Sequence, residues 1–426
     1  MSEMRHPARW SPHRIRRATF AEIAICSAAL VGLATPAAVP ADSTATVPGS
    51  PFDDVVGGTQ LGTSGRPVVP AGVTPPRSID AAAWIVADVD SGEVLGGFNA
   101  HAALPPASTI KLLTALAVLP TVDTKATYTV TDADITVDGS RVGLVPGQRY
   151  TRAALAHGLL LGSGNDAANA LAQLAGGDAR ALALMTAEAQ RLGAFDTTVR
   201  TTHGLDEPGQ RTSAYDLALI GRAVLGNDEL ATLARTEIYD FPGLEGKNFQ
   251  IQNRNRLLGS YPGAIGLKNG FTTLSGHSLV AAAERRGVRL VAVVLGGKNR
   301  PEPPASALLD WGFALPASAE PVGRLVTPTE VAAAFREQDR RSRSASPVVE
   351  QNRSAAFRES VEPVASAPTW PLPATIAAVA VVAAGVAFTA ITARRRAPSV
   401  KRGRRTGRVR TTAAAATPGR RRARRG

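Results

Sequence analysis

Two pairs of strand-like segments, set far apart in the sequence, constrain the fold more than any other feature. The first, AWIVADV and EVLGGF, is joined by Asp90, Ser91 and Gly92 and reads as a β-hairpin. The second, HSLVAAAERRGVRLVAVVLGG, turns at Arg286 and Gly287 and is followed by a helix, ASALLDWGF. Between the two pairs the pattern changes: ARALALMTAEAQRLG and SAYDLALIGRAVLG carry apolar residues at helical spacing. Strands at both ends with helices inserted predict one α+β domain whose sheet is assembled from distant parts of the chain. No internal repeat is visible.

The charge distribution separates that domain from what flanks it. The formal net charge of +13 suggests a nucleic-acid binder until it is located. Fourteen of the 48 Lys and Arg fall between Arg394 and Gly426, leaving 34 basic against 35 acidic residues elsewhere. A globally basic binding face is therefore not implied, and no nucleic-acid partner is expected. Just before this tail, LPATIAAVAVVAAGVAFTAITA runs without a charge from Leu372 to Ala393, between Trp370 and the arginines Arg394, Arg395 and Arg396. It predicts a transmembrane helix over 372–393, with the basic tail 394–426 in the cytoplasm against anionic lipid and everything before it outside. At the other end, five arginines precede an apolar run from Ile23 to Ala34 and small residues at Ala37 and Ala41, an export signal over 1–41. The one cysteine, Cys26, lies in that run, so a processed chain holds no disulfide and must rely on an ordinary apolar core. Residues 42–77 and 316–371 are rich in small and polar residues and lack periodicity, apart from a short helix at TEVAAAFREQ; they read as spacers around a folded unit at 78–315.

Three short motifs inside the folded unit carry chemistry. ASTIKLLTALAVL sets Ser108 and Lys111 three residues apart at the head of an apolar helical run. On a helix such positions share a face with Cβ atoms about 5–6 Å apart, so the amine can take the hydroxyl's proton. Of the six lysines, only Lys111 has this spacing from a serine. LLLGSGNDAANALAQLAG then places Ser163 and Asn165 in a turn ahead of another helix, and IGLKNGFTT puts Lys268 on an apolar strand followed by Asn269, Gly270 and Phe271. A lysine serves as a base at neutral pH only if burial or a second cation lowers its pKa, and Lys268 can supply that cation. Ser163 is suited to relay a proton between Lys111, Lys268 and a leaving amine, and Asn165 to hold Lys111 and a substrate backbone.

The order Ser-x-x-Lys, Ser-x-Asn, Lys-x-Gly resembles the signature of penicillin-binding proteins and serine β-lactamases. HGLDEPGQRTSAYDLALIGRA, NRNRLL, GLKNGFTTLSGHSLVAAA and VRLVAVVLGG followed by LLDWGF extend the resemblance, over about residues 78–315, to the low-molecular-mass D-alanyl-D-alanine carboxypeptidases. That resemblance implies an antiparallel sheet flanked by helices plus a mostly helical subdomain, with the site in the cleft between them. It implies a serine hydrolase that acts on peptidoglycan stem peptides, is inhibited covalently by β-lactams and requires no cofactor. It further implies that the backbone NH groups of Ser108 and Phe271 form the oxyanion hole, that Gly270 lets its strand approach the substrate, and that Arg254 binds the substrate's terminal carboxylate; Arg300, in GGKNRPEP, matches the family only loosely as a second such arginine and reads better as a plain surface residue.

Several residues separate this reading from its competitors. The family usually has threonine where this chain has Asn269, which replaces a hydroxyl by an amide that can still donate to a carboxylate. A β-lactamase would need a carboxylate to activate a deacylating water; no Glu-x-x-Leu-Asn stretch follows Ser163, and Gly164 stands where class A enzymes have aspartate. A penicillin-binding scaffold impaired in turnover is the third reading, with Asn269 as its symptom. His203 is expected to order a loop rather than to join a Ser-His-Asp triad. Six scattered histidines suggest no metal site.

Overall fold

The computed structural model describes residues 49–359. The export signal, the transmembrane helix over 372–393 and the basic tail lie outside the described residues. Among the described residues no helix is long and apolar enough to cross a membrane.

The two distant strand pairs meet in one sheet. β1 (Ala83–Asp88) and β2 (Glu93–Phe98) form the first hairpin, and β1 pairs antiparallel with the last long strand of the sequence, placing Ile85 opposite Val293. Alternation explains why these strands read as almost unbroken apolar runs, because both faces of the sheet are covered. Ile85, Val280, Val291, Val293 and Leu295 face the larger core, while Trp84, Val86, Leu279, Leu290 and Val294 face a second, smaller one.

Between the strand pairs runs a mostly helical segment. α1 (Lys111–Val118) leads through β3 (Thr127–Thr129), α2 (Asp132–Ile135) and β4 (Arg149–Thr151) to α3 (Arg152–Leu160) and α4 (Asn165–Leu174). α5 (Asp178–Leu192), α6 (Ala214–Leu225) and α7 (Asp228–Arg235) follow, then a hairpin of β5 (Ile238–Pro242) and β6 (Asn248–Gln252). Every residue of α1 is buried, so the first motif lies on a core helix. Local chemistry sets several helix starts: the Ser213 hydroxyl accepts from Asp216 N at 3.1 Å at the head of α6, and Asn227 Oδ1 accepts from Leu230 N at 3.1 Å at the head of α7.

β7 (Ala264–Thr272), β8 (Gly276–Arg285), β9 (Val288–Gly297) and β10 (Gly323–Arg324) complete a six-stranded antiparallel sheet of order β10-β2-β1-β9-β8-β7. The helix predicted at ASALLDWGF, α8 (Glu302–Phe313), buries Ala305, Leu308 and Leu309 against the smaller core. β7, which carries the third motif, is therefore an edge strand.

The boundaries expected from composition need correction. Residues 49–77, read as part of a spacer, lie on the domain: Val56 and Leu61 are buried in the main core, and Val68 bridges to Gly97 on β2. The stretch after residue 315 also joins it. Val322, Leu325 and Val326 are buried, β10 extends the sheet, and the Tyr215 hydroxyl donates to Arg324 O at 2.9 Å while accepting from Val326 N at 3.1 Å. TEVAAAFREQ proves to be the beginning of a longer helix, α9 (Pro328–Glu359), whose Val331 is buried. In both segments a few apolar residues fill gaps at a sheet margin. Such isolated anchors leave no periodicity to detect.

Candidate active site

Ser108 and Lys111 are brought together as their spacing predicts, with one refinement. Residues Ala107–Ile110 form a 3-10 turn, and α1 begins at Lys111 itself. Lys111 Nζ lies 2.9 Å from Ser108 Oγ, 2.7 Å from Asn165 Oδ1 and 2.5 Å from the His203 carbonyl. Ala107, just before the serine, has φ of 47°, in the left-handed region that a residue with a Cβ enters only under strain. Ser163 has φ of 59°. Such conformations cost on the order of 1–3 kcal/mol each and persist only where packing enforces them.

The second motif is held by a strap on its solvent side. Asn165 Nδ2 donates to Asp138 O at 2.6 Å and Asn165 N to Ser140 O at 2.7 Å, which leaves its Oδ1 turned to Lys111. The next residue secures the remainder of the strap. The fully buried Asp166 carboxylate accepts from Val142 N, Gly143 N and Leu144 N at 3.0, 2.9 and 3.1 Å, and from its neighbour Ala167 N at 2.9 Å. Sequence reasoning missed Asp166; an acid directly after a helix-initiating motif was its one available signal.

β7 closes the site from the other side. Lys268 is buried, and its Nζ donates to Asn269 O at 2.8 Å and to Asn269 Oδ1 at 3.2 Å. A Cβ on Gly270 would sit 2.8 Å from Ser108 N and 3.0 Å from Ala107 Cβ, so only glycine lets the strand lie this close to the nucleophile's turn. This is why two segments so distant in sequence can jointly present backbone NH groups. Phe271 follows, exposed, its ring against His277 at a centroid distance of 4.4 Å.

The two predicted arginines fare differently. Arg254, in the loop before β7, donates through Nη1 to Ser140 Oγ at 2.7 Å and is thereby tied to the strap that holds Asn165. Arg300 is exposed and lines a surface pocket with Arg77, Asp80 and Pro303, in whose lining no residue of the three motifs appears. Ser163 is buried just ahead of α4, but neither lysine is hydrogen-bonded to it; Lys111 bonds Ser108, Asn165 and His203, and Lys268 bonds Asn269. His203 contributes its carbonyl to Lys111, while its ring Nδ1 accepts from Leu205 N at 3.2 Å and orders the loop, as expected for a residue outside a triad.

Electrostatics favour a neutral base. Burial is the main cause that pushes the Lys111 amine well below the usual lysine range, with the charges of Lys268 and then Arg254 adding to it. The second cation anticipated from sequence is thus real but secondary. Lys268 is itself brought down to about 7, first by burial and then by Arg254. His203 falls to about 4 through burial and the nearby Lys111, which keeps its ring neutral. A neutral amine has two N–H donors and one lone pair. In that neutral form Asn165 Oδ1 and His203 O would take the two donors, and the lone pair would face the Ser108 hydroxyl 2.9 Å away.

Comparison with known proteins places the chain in a family. The family model described as D-alanyl-D-alanine carboxypeptidase matches residues 70–299. D-alanyl-D-alanine carboxypeptidase DacB2 of Mycobacterium tuberculosis is 44% identical over 255 residues, which cover 58% of this chain and 87% of that protein. DacC of Escherichia coli is 39% identical over 256 residues, 55% of this chain and 62% of its own length. Among solved structures, the D-alanyl-D-alanine carboxypeptidase from M. tuberculosis superposes with a TM-score of 0.58 at 43% identity, covering 61% of this chain and all of that one. The Streptomyces K15 DD-transpeptidase superposes at 0.54 with 29% identity, covering 57% of this chain and all of its own. The fold is that of a penicillin-binding serine peptidase. The chain belongs to the D-alanyl-D-alanine carboxypeptidase family of serine hydrolases.

Proposed function

We propose that the protein removes the terminal D-alanine of peptidoglycan pentapeptide stems through an acyl-enzyme on Ser108. The observation that carries this reading is the placement of Lys111 Nζ, held by Asn165 Oδ1 and His203 O at 2.9 Å from the Ser108 hydroxyl in surroundings that lower its pKa. As Oγ bonds to the carbonyl carbon of the penultimate D-alanine, Lys111 takes the hydroxyl proton. The oxyanion is received by Ser108 N and Phe271 N, brought within reach of each other by the close approach at Gly270. Collapse breaks the peptide C–N bond, and the departing amine takes the proton from Lys111. Water then attacks the ester with Lys111 again as base, restoring the serine. Arg254, Lys268 and Asn269 hold the free carboxylate of the departing residue, and the unpaired edge of β7 offers its backbone to the extended peptide.

Two contacts weigh against a β-lactamase. A Cβ at Gly164 would meet Asp166 Oδ1 at 2.7 Å, so the aspartate of class A enzymes does not fit there. Asp166 is committed to four backbone NH groups and has no oxygen left to activate a water. The sequence-derived export signal, C-terminal apolar helix and basic tail support a catalytic domain held outside the cell membrane by a single span.

Mass spectrometry after exposure to benzylpenicillin, paired with an assay of D-alanine release from an acyl-D-Ala-D-Ala peptide, tests the proposal. A lasting adduct on Ser108 together with D-alanine release is expected. Rapid penicillin hydrolysis with no adduct would return the β-lactamase reading, and an adduct without D-alanine release the impaired scaffold.

A further inference from the structure

We infer that Ser140 is a positioning residue for the substrate carboxylate: its hydroxyl orients the Arg254 guanidinium while its backbone carbonyl fixes the residue that holds the base. This rests on the reading of Arg254 as the carboxylate partner. The structure gives Ser140 two separable bonds. Its Oγ accepts from Arg254 Nη1 at 2.7 Å, and its carbonyl accepts from Asn165 N at 2.7 Å. One half-buried residue thus touches both the arginine of the recognition loop and the asparagine that is bonded to Lys111.

The chemistry of the tether matters. Arg254 is exposed, and among the described residues its guanidinium forms no ion pair with a carboxylate. A neutral hydroxyl orients the fork without neutralising it, so the full charge stays available for a substrate anion. An untethered arginine would sample many rotamers, and binding would have to remove that freedom. The main chain of Arg254 is secured as well, its N donating to Leu161 O at 3.2 Å, two residues before Ser163. On the other side Asp166 grips residues 142–144, so the strap bearing Ser140 cannot drift from the head of α4.

Because the contact is made through the side chain alone, Ser140→Ala removes the tether and leaves the carbonyl bond to Asn165 in place. The test measures kcat and KM for an acyl-D-Ala-D-Ala peptide and for the same peptide ending in D-alaninamide, which lacks the carboxylate. Ser140→Ala is expected to raise KM for the free acid about tenfold at unchanged kcat, leave the amide unaffected, and so lower the acid-to-amide ratio of kcat/KM. Ser140→Thr, which keeps a hydroxyl, should restore the ratio. Ser140→Cys, which keeps the shape of the serine side chain but offers only a weak hydrogen-bonding thiol, carries the same test if the alanine variant misfolds. Equal losses on both substrates would mark a merely structural role and overturn the proposal. If Arg254→Ala collapses the ratio while Ser140→Ala does not, the positioning role alone fails. If Arg254→Ala leaves the ratio intact, the carboxylate role of Arg254 falls and the proposal with it.

Discussion

The two walls of the site are built on different terms. On the helical wall, Lys111 is locked by partners from three segments, and the Asn165 that holds it is itself bonded by two residues of the strap. On the strand wall, Lys268 bonds only its immediate neighbour, Asn269, and Phe271 stands exposed on an unpaired edge. The first wall is complete before substrate arrives; the second has donors still to be satisfied. Catalytic bases profit from fixed geometry, whereas a recognition edge must leave its hydrogen bonds to be made by the ligand.

If that contrast is right, the largest loss should come from the helical wall. Lys111→Ala should lower penicillin acylation of Ser108 by at least about 10³-fold, because both the base and its buried network disappear. Stopped-flow acylation would detect this, and a loss of under tenfold would break the comparison. Gly270→Ala comes next. Its Cβ would collide with Ser108 N at 2.8 Å, forcing β7 outward and opening the oxyanion hole, so kcat should fall by about 10²-fold with a smaller change in melting temperature. A variant of full activity would mean that the strand wall yields more easily than its packing implies.

Lys268 allows a test by pH. Its folded pKa of about 7 lies below the ordinary 10.5, so between those values the unfolded chain binds a proton that the folded one does not. Stability from this group is therefore fully present above about 10.5 and is lost as pH falls through about 7. The melting temperature of Lys268→Met relative to wild type should accordingly be more favourable at pH 6 than at pH 9.5, measured by calorimetry. A pH-independent difference would place an ordinary lysine there. The smallest effect is expected from Asn269→Thr, which exchanges the amide bonded to Lys268 for a hydroxyl on the open wall: KM for an acyl-D-Ala-D-Ala peptide should move by only about threefold. A much larger change would show that the strand wall is as tightly specified as the helical one.

How much of this was legible in the sequence depended on whether the signal was local. The β1–β2 and β8–β9 hairpins, α5, α6 and α8 were all visible, because alternation and helical periodicity are properties of short windows. The β5–β6 hairpin is not, since its exposed Ile238 and Phe249 blur any alternation. The segments at 49–77 and after 315 read as spacers in the sequence because only a few anchors such as Leu61 and Val326 do the packing. Motif residues were found by type and order; their helpers Asp166, Ser140 and the His203 carbonyl carry no such mark.

By itself, then, the sequence determined the chemistry present and its order: the serine and lysine three apart, the Ser-x-Asn turn, the lysine and glycine of one strand, and the apolar alternation that builds the sheet. Only the tertiary structure decided what each group would do. Lys111 meets acceptors 54 and 92 residues away, Gly270 comes against Ser108 from the far end of the domain, and Arg254 joins the site through Ser140 while Arg300 lines a separate surface pocket. A pKa depends on burial and on neighbouring charge, and an oxyanion hole on two backbones placed side by side. Both are set by where distant segments pack, which no local pattern of residues encodes.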